Sequence, residues 1–183
     1  MGNHVSLDLE TLGKAPGCPV VSIGWCIFNE TEILERGELF PLLNTQIEAG
    51  AKLDVDTLQW WMRQSDDARM DWVLGQERQG FELRECLKIL SGELQRNRVK
   101  YVWGFGATFD VSITEALYTM ANLEIPWKFW NIRCGRTLTQ LADIKIDRDK
   151  GVHHTAEQDA FAQAQAFQAA LKKLALLNQP TGG

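Results

Sequence analysis

Apolar and polar residues alternate at the start of the chain, which predicts a first strand at His4–Leu9. A loop at Gly13–Pro19, rich in proline and glycine, separates it from an apolar run at Val20–Phe28 that reads as a second strand. A polar turn at Asn29–Glu32 then leads to a third predicted strand, Ile33–Leu43. Three consecutive strands with short polar connections are typical of an antiparallel meander.

The pattern then changes to a helical period. Asp56 is predicted to cap a short helix, and Ser65 or Asp66 to cap a second helix that ends at Leu74 before a loop at Gly75–Gly80. The later predicted elements are an amphipathic helix at Leu83–Leu94, a strand at Val99–Trp103, and helices at Val111–Ala121 and Thr137–Ala142. A last helix follows Thr155, which with Gln158 fits a capping box. This order predicts an α/β fold with a mixed central sheet flanked by helices.

Length and composition place this fold in one globular domain. The chain has 183 residues, of which 45% are hydrophobic and 23% charged, so it can bury a sizeable core without disulfides. We expect a single domain over residues 1–177 and a flexible tail over residues 178–183. The four cysteines are scattered without a Cys-x-x-Cys pair, which disfavours zinc and favours the reducing cytoplasm. No signal peptide and no membrane span are expected, and the sequence leaves a homodimer open.

The net charge of −5 argues mildly against a protein that coats nucleic acid through bulk charge. It does not argue against an enzyme that holds a short piece of strand, because bound cations would reverse the local sign at a phosphate.

Acidic residues in three separate segments are candidates for one metal site. Asp8 and Glu10 interrupt the first strand, where alternation places both on the same face. Asp110 follows the glycine-bearing turn after the fourth strand, and Asp159 lies five residues after His154. Carboxylate oxygens are the natural ligands of Mg²⁺ or Mn²⁺, and histidine is a natural general base near neutral pH. Together these residues predict hydrolysis of a phosphodiester bond by two metal ions.

Each of these signals also has a structural explanation. Asp8 and Glu10 could lie on an exposed sheet face, and Asp110 could cap the helix that follows it. Asp159 could be a first-turn acid stabilised by the helix dipole, and His154 a loop histidine. The functional interpretation depends on their joint occurrence in this order.

The three segments resemble the motifs of the DEDDh class of 3′–5′ exonucleases, which have a ribonuclease-H-like (ribonuclease-T-like) fold. The segment Asp8-Leu-Glu10-Thr-Leu-Gly resembles the first motif, and Asp110 after Trp103-Gly-Phe-Gly the second. The spacing from His154 to Asp159 resembles the third and selects His154 over His153. A further stretch, residues 56–69, resembles the small phage and bacterial exoribonuclease branch. The resemblance covers roughly residues 5–170.

The resemblance implies specific roles for these residues. Asp8, Glu10, Asp110 and Asp159 would hold two Mg²⁺ or Mn²⁺ ions, and His154 would take the proton from the attacking water. Thr11 and Leu12 would approach the terminal nucleotide through their backbone. Two positions depart from this branch, which often has asparagine where Phe105 stands and an acidic residue where Cys134 stands.

Base stacking would supply much of the grip on the substrate. Phe105 and Phe109 are candidates, with the alternative that both belong to the core. Of Trp60 and Trp61, which cannot face the same side of a helix, one is expected in the core.

The expected function is metal-dependent 3′–5′ exonuclease activity on a single-stranded 3′ end, with RNA slightly favoured over DNA. Two other classes of function stay open. One is a degenerate module that binds a nucleic-acid end without cleaving it, and the other is a metal-dependent phosphohydrolase that acts on free nucleotides.

Overall fold

A computed structural model describes residues 2–146 and 155–177, which form a mixed sheet with helices on both faces. The strands are β1 (Asn3–Thr11), β2 (Val20–Phe28), β3 (Ile33–Pro41), β4 (Gly80–Phe81), β5 (Val99–Gly104) and β6 (Ile132–Cys134). The helices are α1 (Leu43–Glu48), α2 (Val55–Met62), α3 (Asp66–Gln79), α4 (Leu83–Arg96), α5 (Asp110–Met120), α6 (Gly135–Leu141) and α7 (Ala156–Leu177), and a 3₁₀ turn spans Phe129–Asn131. The predicted tail over residues 178–183 lies outside the described residues.

The six strands of the sheet have the order β4-β3-β2-β1-β5-β6 among the described residues. β1, β2 and β3 pair in antiparallel fashion, which confirms the predicted meander. β5 pairs in parallel with β1 on one side and with β6 on the other. β1 is therefore a central strand with a hydrogen-bonded neighbour on each side, and β6 is at an edge of the sheet.

Alternation along β1 divides the molecule into two layers. Val5, Leu7 and Leu9 point into the main core, where they meet the leucine face of α4 and the buried side of α5. The opposite face of the sheet is covered by α7, whose Ala164 and Phe167 are fully buried. A smaller cluster around Leu12 and Trp61 joins α2 and α3 to the end of β1. Every residue of β2 is buried because both faces of that strand are covered.

Three local predictions were wrong in ways that have physical reasons. The third strand ends at Pro41 instead of Leu43, and the short helix α1 follows it. The Gln46 side chain holds α1 in place by bonding to backbone groups of Val20 and Pro41, a tertiary contact that sequence periodicity does not reveal. The cap of α2 is Asp54, which accepts a 2.9 Å hydrogen bond from the Thr57 N–H, and Asp56 lies in the first turn.

The loop predicted at Gly75–Gly80 is instead the last part of α3, which Ser65 caps. A Cβ at Gly75 would lie 2.2 Å from the ring of Phe40, so this glycine allows the helix to approach the sheet closely. The prediction of a loop that begins at Gly75 is therefore wrong, because this glycine serves the packing of a continuous helix against the sheet.

Within the described ranges, no helix combines the length and the apolar character needed to cross a bilayer.

Candidate active site

The polar face of β1 brings the first two carboxylates together. Ser6, Asp8 and Glu10 alternate with the core residues of the strand and point toward the layer that contains α7. The prediction that Asp8 and Glu10 share a face is confirmed. Both are half-buried, so the alternative of an exposed sheet face is wrong.

The start of α7 brings a third carboxylate to this pair. Asp8 pairs across the sheet with Gly24, and a Cβ at Gly24 would lie 2.0 Å from the carbonyl oxygen of Ala156. The absence of a side chain at position 24 therefore lets the first turn of α7 rest directly on β2. Thr155 caps this helix by accepting a hydrogen bond from the Gln158 N–H at 3.3 Å, as the capping-box pattern predicted. Asp159 lies in the first turn, above Asp8.

Asp8, Glu10 and Asp159 converge closely enough to share an ion. Each offers one carboxylate oxygen, and these three atoms all lie within 4.8 Å of one another. The three residues come from opposite ends of the sequence, so their convergence is produced by the fold. Three carboxylate oxygens at this separation suit a hard divalent cation.

Asp110 is not one of the three converging residues, but it lies near enough for its charge to act on Asp8. It is the first residue of α5, with Phe109 at the cap position, so Asp110 is not the cap of that helix. Its carboxylate lies over Gly104, where a Cβ would be 2.9 Å from Oδ2. Hydrogen bonds from the backbone of Phe105 and Leu9 also reach the carboxylate. The glycine after Trp103 therefore makes room for the Asp110 carboxylate beside β1.

Burial raises the pKa values of Asp8 and Asp110, and for Asp8 the neighbouring negative charges add to the shift. The pKa of Asp8 lies well above its usual range, first because of burial and then because of the charges of Asp110, Asp159 and Glu10. Burial raises the pKa of Asp110 to about 7, although hydrogen bonds and the positive charge of Arg136 oppose the shift. A bound dication would compensate the same repulsion and restore the ionised forms. The donor set and its electrostatics therefore fit a divalent metal ion.

Sequence reasoning missed Gln163, which orients Asp8. This side chain is fully buried, and its Nε2 donates a 2.6 Å hydrogen bond to Oδ1 of Asp8. The Ser6 hydroxyl donates to Oε1 of Gln163 at 3.1 Å, which fixes the amide with its N–H groups toward the carboxylate. The available signal was an amide on the helical face that otherwise carries Ala160, Ala164 and Phe167.

The proposed general base, His154, lies outside the described residues. His4 is placed, and it cannot serve in this role. It is buried, its Nδ1 accepts a 2.9 Å hydrogen bond from the Trp103 indole, and its pKa falls to about 4 through burial and the nearby charge of Arg133. His4 is therefore a neutral histidine that packs between aromatic rings.

A cleft opens at the end of β1 beside Glu10. Its walls include Thr11, Trp60 and Phe109, with Lys14 and Arg63 at the same opening. Trp60 is 53% exposed and Trp61 is buried, which confirms that one of the two tryptophans belongs to the core. Phe109 is half-buried and packs against the main core while lining the cleft.

The other predicted substrate residues are Thr11, Leu12 and Phe105, and they differ in whether they line this cleft. Thr11 lines the cleft, although its carbonyl accepts a hydrogen bond from the Trp61 indole. Leu12 is buried, donates its N–H to Pro19 and accepts from Asp54 with its carbonyl. Phe105 packs on the α7 side of the sheet, with the guanidinium of Arg136 5.2 Å from its ring centroid.

Solved structures with the same fold include those of two nucleases. One is the nuclease domain of 3′hExo, a DEDDh family member bound to rAMP; it has 12% identity to this chain and a TM-score of 0.57, with 93% of this chain and 92% of that chain covered. The other is exonuclease X in complex with 5′ overhanging duplex DNA, at 12% identity and a TM-score of 0.53, with coverage of 97% and 94%. At these identities the likeness shows the fold, and it confirms the predicted ribonuclease-H-like architecture. No curated protein matches the chain significantly.

A family model provides the functional assignment. The model for the 3′-5′ exoribonuclease Rv2179c-like domain matches residues 3–171, which include all four carboxylates. The prediction of a hydrolytic 3′–5′ exonuclease of the DEDDh class is thereby confirmed at the level of the family. The chain belongs to the Rv2179c-like 3′-5′ exoribonuclease domain family.

Proposed function

We propose that this protein removes nucleoside monophosphates from the 3′ end of single-stranded nucleic acid, with RNA favoured over DNA. The observation that carries the proposal is the convergence of Asp8, Glu10 and Asp159, with Asp110 beside them, in a chain of an exoribonuclease family. A purely structural cluster of this kind would be costly, because buried like charges destabilise the folded state without a compensating ion.

The four carboxylates are proposed to hold two Mg²⁺ or Mn²⁺ ions. Asp8 is the proposed common ligand, because the charges of the other three carboxylates all act on it. Ions at such a site supply positive charge to the scissile phosphate and lower the pKa of water. The all-oxygen donor set supports Mg²⁺ or Mn²⁺ over zinc, which prefers nitrogen and sulfur.

The protein's own groups hold this arrangement before substrate arrives. Gln163 fixes the direction of the Asp8 carboxylate, and backbone groups of Leu9 and Phe105 fix that of Asp110. His154 is proposed as the base that removes a proton from the attacking water. Its neighbour Thr155 lines a cavity that also contains Glu10, which supports a position next to the reacting phosphate.

The terminal nucleotide is proposed to occupy the cleft beside Glu10. Trp60 and Phe109 offer aromatic surfaces for a base, and Lys14 and Arg63 offer positive charge for a phosphate. Thr11 is proposed to line the floor of this cleft, with Leu12 packed behind it and Phe105 on the approach from α6. Preference for RNA would require a contact with the 2′-hydroxyl, and the same cleft is where such a contact has to be made.

A cytoplasmic location is proposed because Cys18, Cys26, Cys86 and Cys134 are all free thiols, which suits a reducing compartment.

We also propose that residues 1–177 form one domain, since the described elements pack on a single sheet. Sedimentation of the purified chain would test whether it forms the homodimer that the sequence leaves open.

The test is a time course on end-labelled single-stranded RNA and DNA oligomers with Mn²⁺, Mg²⁺ or EDTA. Glu10→Gln is the informative variant, and Glu30→Gln, in an exposed turn, is its matched control. A metal-dependent ladder that shortens from the 3′ end, present in the control and absent in Glu10→Gln, would support the proposal. Binding of oligomers without cleavage would favour a binding module. Release of phosphate from free nucleotides, with oligomers left intact, would favour a phosphohydrolase.

A further inference from the structure

The chain carries a basic segment that the active site does not use. Residues 125–142 contain no aspartate or glutamate, although the whole sequence has 24 acidic residues and a net charge of −5. The segment has three cations, Lys128, Arg133 and Arg136, and its acidic neighbours in sequence are Glu124 and Asp143. The local sign of the charge is therefore opposite to that of the whole molecule.

Exposed aromatic rings are interleaved with these cations. Phe129 is 77% exposed and Trp130 is 61% exposed, and the two rings contact each other edge to face at 4.9 Å. Large aromatic side chains at this exposure contribute little to the core, so their presence calls for another explanation. The Arg133 guanidinium lies 4.7 Å and the Lys100 ammonium 5.2 Å from the ring centroid of Tyr101.

These residues follow β6, which is the edge strand of the sheet in the described part of the chain, and lead toward the carboxylates. β6 has β5 as its hydrogen-bonded neighbour, with Trp103 opposite Arg133 and Gly104 opposite Cys134. Gly104 is the residue over which the Asp110 carboxylate lies. Arg136, in the first turn of α6, donates a 3.1 Å hydrogen bond to the Phe105 carbonyl and acts electrostatically on Asp110. The segment from Trp130 along β6 to Arg136 therefore leads toward Asp110 and the neighbouring carboxylates.

We propose that this edge strip, composed of Tyr101, Lys128, Phe129, Trp130, Arg133 and Arg136, binds the part of a single-stranded nucleic acid that lies 5′ of the nucleotide being removed. This inference rests on the proposed function and extends it to the rest of the substrate. Alternating aromatic and basic side chains match a polyanion with stacking bases, and such contacts tolerate any sequence. The six steps along the backbone from Trp130 to Arg136 span at most about 20 Å, which is enough for several nucleotides.

The experiment compares substrates of different length at the same site. kcat/KM is measured for a dinucleotide and for a single-stranded oligomer of about 12 nucleotides, in wild type and in the double variant Phe129→Ala/Trp130→Ala. The control is Leu34→Ala/Ile47→Ala, which removes exposed apolar side chains elsewhere on the molecule. The ratio of long to short kcat/KM is expected to fall about tenfold or more in the Phe129/Trp130 variant, because stacking on two rings is lost. The control is expected to keep the wild-type ratio.

A binding measurement separates failure of the strip from failure of the proposed function. Fluorescence anisotropy of the labelled oligonucleotide in EDTA reports binding without cleavage. The double variant Lys128→Gln/Arg133→Gln is expected to reduce the salt dependence of the affinity by about 1.4 units of slope, at about 0.7 per phosphate contact on a single strand. One outcome is that the wild type cleaves no oligonucleotide but binds it, and that the Phe129/Trp130 variant loses this binding. That outcome would support the strip and overturn only the exonuclease proposal.

The strip would be overturned by a double variant with wild-type affinity and a wild-type length ratio. It would also be overturned if the double variant lost a dimer while keeping its oligomer affinity, since the rings would then cover a second copy of the chain.

Discussion

Removal of the charge of Asp110 is expected to stabilise the metal-free protein above neutral pH. The Asp110 side chain is 5% exposed, and burial raises its pKa from the usual 3.8 to about 7. Between these two values the folded protein holds a proton that the unfolded chain has released. The free energy of unfolding therefore falls as the pH rises through this window, and the stabilisation present below pH 3.8 is lost above about pH 7.

The size of this effect follows from the width of the window. A shift from 3.8 to about 7 is roughly three pH units, which corresponds to on the order of 4 kcal/mol at 1.36 kcal/mol per unit. The raised pKa of Asp8 acts in the same direction, because its burial and its acidic neighbours also favour the protonated form. A loss of this size is a large fraction of the stability of a typical domain.

The assay is urea unfolding in EDTA at several pH values between about 5 and about 8.5, for wild type and Asp110→Asn. Asparagine does not ionise, so the variant is expected to lose much of the pH dependence. Its amide oxygen can still accept the backbone hydrogen bonds from Leu9 and Phe105. Asp67→Asn, at an exposed position in α3, is the control and should behave like wild type. Saturating Mn²⁺ should restore the stability of wild type at high pH and have a smaller effect on Asp110→Asn, which keeps the carboxylates of Asp8, Glu10 and Asp159.

A wild type that is equally stable at both ends of the pH range in EDTA would refute this reasoning. A variant that loses as much stability as wild type on raising the pH would do the same.

Three further substitutions test the parts that hold the site. Gln163→Leu should weaken Mn²⁺ binding about 10- to 100-fold, because the Asp8 carboxylate loses the donor that orients it; thermal shift against Mn²⁺ concentration measures this. Gly24→Ala should displace the start of α7, since its Cβ would overlap the backbone there; lower melting temperature and faster proteolysis are the readouts. His154→Ala should lower kcat and leave the Mn²⁺ shift intact, as expected for a base that does not bind the metal.

Each of these variants has a matched partner in the chain. Gln165→Leu changes an exposed amide on the same helix and should leave Mn²⁺ affinity unchanged. Gly92→Ala adds a methyl group to a helical position with open space around it, so a loss of stability as large as that of Gly24→Ala would count against the packing argument. Equal loss of kcat in His153→Ala would mean that the five-residue spacing selected the wrong histidine.

The parts of the fold that the sequence predicted well are those in which one residue type repeats with one period. Alternation in β1 identified both the strand and the shared face of Asp8 and Glu10, because a central strand forces successive side chains to opposite layers. The leucine spacing of α4 and the cap at Thr155 were equally local signals. Sequence patterns predicted an element correctly where residues close together in sequence determine it.

The errors arose where a distant residue decides the local structure. α1 depends on the hydrogen bonds that the Gln46 side chain makes with the backbone of β2. Glycine is needed at position 75 of α3 because the ring of Phe40 occupies the space that a side chain would take. Gln163 shows the same limit for the site. As an amide in a helix it has many possible roles, and its partners at Ser6 and Asp8 lie more than 150 positions away in sequence.

That separation has a consequence for synthesis of the protein. Asp8 emerges from the ribosome 155 residues before Gln163, and Asp159 emerges shortly before that glutamine. The growing chain can pair β1 with β2 and β5, but it cannot assemble the complete carboxylate cluster until α7 has been made and has docked on Gly24. The carboxylate cluster is therefore incomplete on a nascent chain, and the site is assembled only after α7 has been synthesised.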